Sequence, residues 1–148
     1  MPSSVCSQCC STNQDSLDIF SEILKGVNQN VVARATRYHS TFGYYTISVI
    51  TVLEIVKGFH KLNRENRVQQ FLAGLPAVER LTLDQRSAER AGRIYADLER
   101  VGQPIGRADP MIAAIALRYD FTLMTGNLSH YQRIQALGYG MKLNNWRV

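Results

Sequence analysis

Four polar side chains stand at the borders of apolar segments in this 148-residue chain, and their types suit chemistry on a charged substrate. Glu54 comes shortly after the segment YYTISVI, Asp109 opens the segment PMIAAIALRY, and Asn127 and His130 follow FTLMT. Carboxylate and amide oxygens suit a hard cation such as Mg²⁺ or Mn²⁺ better than a metal that prefers thiolate or imidazole. A metal held by carboxylates lowers the pKa of bound water and neutralises charge on a phosphoryl oxygen. These residues therefore predict an acidic cleft suited to phosphoryl chemistry.

The two carboxylates also have structural explanations. Thr51 and Glu54 match a capping box, in which the glutamate bonds the backbone amide at the start of a helix. Asp109 before Pro110 fits a helix N-cap followed by proline at the first helical position. Taken singly, each carboxylate fits a helix cap at least as well as a metal site.

The remaining polar candidates are open to the same choice. Asn127 in the dipeptide Gly-Asn is typical of a turn, and His130 suits an exposed position. Arg107 suits either a phosphate contact or an ion pair with a nearby acid. Spacing alone predicts an α/β domain. It leaves open whether these polar residues form an acidic cleft or have only structural roles.

Composition excludes several classes of protein without selecting one. The formal net charge of +5 permits an acidic partner such as nucleic acid but does not require one. The chain has neither a G-x-x-x-x-G-K-[ST] nor a G-x-G-x-x-G loop, which weighs against nucleotide-cofactor and kinase-like roles. It also has no apolar run near the roughly 18–20 residues that span a bilayer, and no visible signal peptide. We therefore expect a cytoplasmic protein of one domain.

All three cysteines, Cys6, Cys9 and Cys10, lie near the N-terminus. The spacing C-x-x-C-C could form half of a zinc site, but no second Cys or His pair follows to complete four ligands. An odd number of thiols fits a reducing compartment. An incidental polar tail is the favoured interpretation of this segment.

Periodic and β-branched segments alternate along the rest of the chain and predict the elements that must position these residues. Helices are predicted over residues 17–26, 31–38, 51–62, 64–73, 85–101 (with Asp84 as N-cap) and 110–119. Strands are predicted over residues 44–50, 78–83, 121–125 and 141–143, with GNLSHY as a polar turn before a last helical turn. This alternation predicts a mostly parallel sheet with helices on both faces, and ligands in such sheets bind beyond the carboxyl ends of the strands.

From residue 17 onward the chain resembles a PIN domain, specifically the VapC-type toxins of bacterial toxin–antitoxin pairs. Residues 48–58 (SVITVLEIVKG) are similar to the family motif S-x-x-T-x-x-E, and residues 105–114 (IGRADPMIAA) are similar to the motif around its third acidic residue. Residues 125–131 (TGNLSHY) resemble the motif T-x-N-x-x-[HDE]-[FY], and Asn144 with Trp146 resembles the usual C-terminal ending. The resemblance covers about 130 residues, in order and at the expected spacing.

The resemblance implies a three-layer α/β/α sandwich and an Mg²⁺- or Mn²⁺-dependent endoribonuclease, in which metal-activated water attacks an RNA phosphodiester. Glu54 and Asp109 would be metal ligands, and Asn127 would lie at the rim of the site. Supporting roles would fall to four residues: Ser48, Thr51, Thr125 and His130. The resemblance also implies an RNA substrate, a small antitoxin protein as partner, and a homodimer.

The N-terminal head departs from the family pattern. PIN domains begin with an apolar strand that ends in an aspartate ligand, and the matching position here holds Ser16. We therefore divide the chain into an atypical head over residues 1–16, for which disorder is one expectation, and a PIN-like domain over residues 17–148. Asp15 is one residue out of register, and such a slip turns a strand side chain to the opposite face.

Three hypotheses about function follow. The first is a VapC-like ribonuclease that acts as the toxin of a toxin–antitoxin pair. The second is a degenerate, non-catalytic PIN domain that binds antitoxin or RNA, motivated by Ser16 and the polar head. The third keeps the fold but assigns a metal-dependent phosphatase or DNA nuclease, which substrate preference would distinguish.

Overall fold

The described part of the chain forms a five-stranded sheet in which every strand pairing is parallel. The computed structural model describes residues 5–7, 26 and 28–145. The strands, in chain order, are β1 (Val5–Ser7), β2 (Thr46–Ser48), β3 (Glu79–Leu81), β4 (Thr122–Met124) and β5 (Lys142–Asn144). They lie side by side in the order β3-β2-β1-β4-β5. The predicted parallel sheet is confirmed.

Six helices are described, together with a 3₁₀ turn over Leu75–Ala77. They are α1 (Gln29–Phe42), α2 (Val49–Lys61), α3 (Glu65–Gly74), α4 (Gln85–Arg100), α5 (Ala108–Arg118) and α6 (Leu128–Ala136). Asp84 caps α4 as predicted, because its carboxylate accepts a hydrogen bond from the Ser87 N–H at 2.8 Å. The helix predicted over residues 17–26 lies almost entirely outside the described residues, as do Ser16 and Trp146. No helix of the described part has the length and apolar character needed to cross a bilayer.

Apolar side chains cover both faces of the sheet. Successive side chains of a strand point to opposite faces, and on β4 Leu123 packs with α4, α5 and α6 whereas Met124 packs with α1. A third apolar cluster joins Ile47 of β2 to α2 and α3. Helix α5 is buried on all sides over residues 112–116 because it lies in the cluster beneath α4. These clusters establish the three-layer α/β/α arrangement.

Several predicted boundaries are shifted, and two of these differences concern the segments that carry site residues. The strand predicted over residues 44–50 ends at Ser48, because the Ser48 hydroxyl accepts a hydrogen bond from the Thr51 N–H at 3.1 Å and so starts α2 at Val49. The polar turn GNLSHY is largely helical, since α6 begins at Leu128. Tyr131 and Ile134 follow at three-residue intervals and are fully buried, which places one face of α6 in the core.

Strand β1 is the main correction to the fold expected from sequence. No strand is predicted in the polar head, yet Val5–Ser7 occupies the centre of the sheet and pairs with both β2 and β4. A three-residue strand in a polar context, without an apolar or β-branched run around it, carries too little pattern to be recognised from sequence. Its position depends on backbone pairing to strands that are distant along the chain.

Candidate functional site

Asp109 is the centre of the candidate site, and it is not the helix cap that its sequence context suggests. Helix α5 begins at Ala108 after Arg107, so Asp109 lies inside the first turn. The Asp109 side chain is only 2% exposed. A buried carboxylate needs partners, because removing a charged group from water is costly.

Two side chains from α6 supply those partners. Nδ1 of His130 lies 2.7 Å from Oδ2 of Asp109, and the Tyr131 hydroxyl donates a hydrogen bond of 3.2 Å to Oδ1. His130 is half-buried, so the prediction of an exposed position for it is wrong. Each carboxylate oxygen has two lone pairs, so both oxygens keep acceptor capacity toward a further group.

His130 also contacts Asn127, which places three of the predicted residues in one chain of contacts. The Nδ1 atom of His130 is 2.9 Å from Nδ2 of Asn127. One ring nitrogen cannot donate to a carboxylate and accept from an amide at once. The shorter contact to a charged acceptor favours a proton on Nδ1 that is donated to Asp109. Thr125, fully buried at the end of β4, accepts a hydrogen bond from the Asn127 N–H at 2.9 Å.

Glu54 approaches the site from helix α2, which packs against α5. It is not part of a capping box, because Ser48 rather than Thr51 caps α2. The Glu54 carboxylate forms an ion pair of 3.0 Å with Lys57, and its side chain is 18% exposed. The position of Glu54 is set by the start of α2, where the buried hydroxyls of Ser48 and Thr51 lie 3.3 Å apart.

The pKa of Asp109 reports the electrostatics of the site. Burial raises this pKa most strongly, the hydrogen bonds and charge of His130 and the Tyr131 hydroxyl lower it, and the charge of Glu54 raises it further. The net direction is upward. The charge of Glu54 thus opposes ionisation of the poorly solvated Asp109 carboxylate, and a bound cation would relieve this repulsion.

The donor set fits a hard divalent cation. Glu54 and Asp109 would hold it through carboxylate oxygens, the ligands that Mg²⁺ and Mn²⁺ prefer. Within residues 5–7 and 28–145 no group of three metal-ligating side chains is formed. The third ligand position implied by the resemblance falls on Ser16, which lies outside the described residues and nine positions after the end of β1.

Besides the His130–Asp109 contact, two further contacts of the site were not predicted. Tyr131 is completely buried and holds Asp109, and its burial could have been inferred from the three-residue spacing to Ile134. The Lys57–Glu54 ion pair follows from their i,i+3 spacing on one helix. Arg107 is exposed and forms no ion pair with any described residue, so the ion-pair alternative is not supported, whereas its contact with a phosphate stays a prediction.

The raised pKa of Asp109 predicts a pH-dependent difference in stability between the chain and its Asp109→Asn variant in EDTA. The folded state holds the Asp109 proton more tightly than the unfolded state does. The protonated group therefore stabilises the fold, and this stabilisation is lost when Asp109 ionises. The free energy of unfolding of the parent chain should therefore fall, relative to the variant, as the pH rises above about 4. Urea unfolding at pH 4 and pH 7 measures the effect.

Asp120→Asn is the matched control for this comparison, because the side chain of Asp120 is 88% exposed. We expect its stability difference from the parent chain to change much less over the same pH range. A difference between parent and Asp109→Asn that stays constant from pH 4 to pH 7 would contradict the assignment.

The parallel sheet, the covering helices and the carboxylate pair at one end of α5 together define a PIN domain. The family profile described as the PIN domain matches residues 18–135, and the chain belongs to this family. Among its relatives is a protein of Salmonella typhimurium named tRNA(fMet)-specific endonuclease VapC, which is 31% identical over 111 residues (74% of this chain and 81% of that protein). Ribonuclease VapC1 of Rickettsia felis is 33% identical over 107 residues (70% and 80%).

Solved structures agree with these relatives. A DNA-bound VapBC from Salmonella typhimurium has a TM-score of 0.71 at 27% identity, over 86% of this chain and 92% of that one. A VapBC2 from Rickettsia felis bound to a promoter DNA fragment has the same TM-score at 22% identity, which shows the shared fold. The predicted family and fold are confirmed.

Proposed function

We propose that this protein is a metal-dependent endoribonuclease and the toxin of a toxin–antitoxin pair. The observation that carries the proposal is the Asp109 carboxylate, which is nearly fully buried, is held by His130 and Tyr131, and lies within the electrostatic influence of Glu54. Relatives named as VapC ribonucleases and endonucleases support the reaction class. Mg²⁺ or Mn²⁺ is the expected cation.

The side chains divide the work as follows. Glu54 and Asp109 provide negative charge for the cation, while His130 and Tyr131 fix the Asp109 carboxylate so that little reorganisation is needed on binding. Asn127 lies against the His130 ring at the rim of the site. The bound cation would neutralise charge on a phosphoryl oxygen and lower the pKa of a bound water.

The proposed partners of this chain rest on its similarity to the VapC and VapBC proteins. The similar solved structures are complexes described as VapBC, so we propose a small antitoxin protein as partner of this chain. RNA is the proposed substrate, and a homodimer is the proposed assembly.

The second candidate function is a non-catalytic PIN domain that binds antitoxin or RNA. Ser16 favours it, because it stands at the position for which the family pattern implies an aspartate ligand. With one carboxylate fewer, less negative charge is available to hold a divalent cation.

Cleavage of a mixed RNA pool by this chain and by its Ser16→Asp variant, with and without Mn²⁺, separates the two candidates. We expect Mn²⁺-dependent cleavage by the parent chain and faster cleavage by the variant, because a third carboxylate strengthens cation binding. Cleavage by the variant alone would identify a nuclease disabled at one position. No cleavage by either folded protein would contradict the enzymatic proposal and favour the binding role. Glu54→Gln versions of both proteins exclude a contaminating nuclease.

A further inference from the structure

A cavity of about 200 Å³ lies between α4 and α5, away from the candidate active site. We call it the arginine cavity. Its lining consists of Arg86, Ser87, Arg90, Ala114, Leu117 and Arg118. Arg118 is the last residue of α5 and Asp109 is in its first turn, so about 13 Å of helix separates the two places.

The charges around the arginine cavity are unbalanced. Arg86 and Arg90 are exposed, lie one helical turn apart on α4, and form no ion pair with any described residue. Arg118 faces them from α5 and pairs with Asp84 at 3.3 Å. Like charges at i,i+4 repel each other. Among the described residues, one carboxylate thus stands beside three guanidinium groups, leaving an excess of positive charge.

The second, independent observation is an unsatisfied hydroxyl. Ser87 is 1% exposed, and its Oγ atom has no hydrogen-bond partner among the described residues. Its backbone N–H is already used by Asp84. The pKa of Asp84 is lowered first by that backbone hydrogen bond and then by the adjacent Ser87 hydroxyl, which nevertheless makes no well-directed hydrogen bond to the carboxylate. A buried hydroxyl without a partner is uncommon in a folded protein and calls for a ligand or a cost in stability.

We propose that the arginine cavity binds a phosphate group. Guanidinium groups bind phosphate oxygens through paired, charge-assisted hydrogen bonds, and the Ser87 hydroxyl would supply a neutral donor to the same anion. The phosphate comes either from free phosphate or from the backbone of an RNA. The RNA source rests on the proposed function, whereas the phosphate site itself does not.

Thermal unfolding of the full chain in EDTA, with phosphate replacing chloride at constant ionic strength, tests the site without any catalysis. Ligand that binds only the folded state raises the unfolding temperature in a saturable manner. We expect this behaviour for the parent chain. Arg86→Gln and Arg90→Gln should each weaken phosphate binding about tenfold, because each removes one charged hydrogen-bonding group. Arg93→Gln is the matched control, since Arg93 is exposed on the same helix but does not line the cavity.

Ser87→Ala provides a second, independent readout. In chloride alone we expect this variant to be at least as stable as the parent chain, because it removes a buried hydroxyl that has no partner. In phosphate it should gain less stability than the parent. A loss of stability in chloride would show that the hydroxyl already has a partner and would overturn the proposal. The proposal would also be overturned if phosphate did not raise the unfolding temperature of the parent chain, or if it raised that of the Arg90→Gln variant by the same amount.

Fluorescence anisotropy with a single-stranded RNA oligonucleotide in EDTA distinguishes the two sources of phosphate. If the combined Arg86→Gln and Arg90→Gln variant binds the oligonucleotide more weakly than Arg93→Gln, with a shallower salt dependence by about 0.7 per lost contact, the RNA backbone supplies the phosphate. Equal RNA binding with impaired phosphate binding assigns the site to free phosphate. Both results support an anion site and are independent of whether RNA is cleaved.

Discussion

Replacing Glu54 by glutamine, or Asp109 by asparagine, should lower divalent-dependent RNA cleavage by about a hundredfold or more. Each change keeps the size and shape of the side chain but removes one of the two negative charges that the site offers to a cation. The reason for the large expected effect is that few carboxylates are available, so the loss of either leaves the cation weakly held. Initial rates of RNA cleavage over a range of Mn²⁺ concentrations measure it.

Two exposed carboxylates provide controls of the same chemistry. Glu99→Gln on α4 and Asp120→Asn after α5 each remove an exposed charge that contacts none of the site residues and should leave cleavage within about twofold, since exposed surface charges are weakly coupled to a buried site. Thermal unfolding must show that all four variants are folded. Full metal-dependent cleavage by the Glu54→Gln or Asp109→Asn variant would exclude that residue from the catalytic machinery.

Truncating Leu98 to alanine should destabilise the protein by about 2–5 kcal/mol. Leu98 is 1% exposed on α4 and belongs to the cluster that packs against α5. The truncation leaves a cavity beneath the helix that carries Asp109. Urea unfolding at neutral pH measures the change in the free energy of unfolding.

Leu53 on α2 is the matched control for Leu98. Both are helical leucines, but Leu53 is 54% exposed, so Leu53→Ala should change the free energy of unfolding by less than about 1 kcal/mol. Similar losses from the two truncations would mean that α4 does not pack on α5 as described. A loss for Leu53 that disappears on dilution would instead indicate that this leucine is covered by a second copy of the chain.

Sequence was most informative where the local signal was strong. The cap at Asp84 and the long amphipathic pattern after it predicted α4 within one residue. The resemblance placed Glu54 and Asp109 in one domain, and the structure brings them within electrostatic range of each other. Periodicity could not decide whether Asp109 is a helix N-cap or a metal ligand, because both interpretations place a carboxylate next to the start of a helix.

The contacts that were missed depend on tertiary structure. His130 meets Asp109 across 21 positions of the chain, and nothing in the local sequence distinguishes that contact from exposure to solvent. Strand β1 is missed for a related reason, since a segment of three residues in a polar context is defined by its neighbours in the sheet.

The central position of β1 has a consequence for the order in which the molecule can fold. β1 separates the β3–β2 pair from the β4–β5 pair, and Val5 lies beside Thr122, about 120 positions further along the chain. At a synthesis rate of roughly 5–20 residues per second, β4 is therefore completed on the order of ten seconds after β1, and the two strands cannot pair before then. Contacts so distant in sequence also slow refolding, because loop closure precedes any gain from pairing. Joining of the two halves of the sheet through β1 is the expected late step of folding.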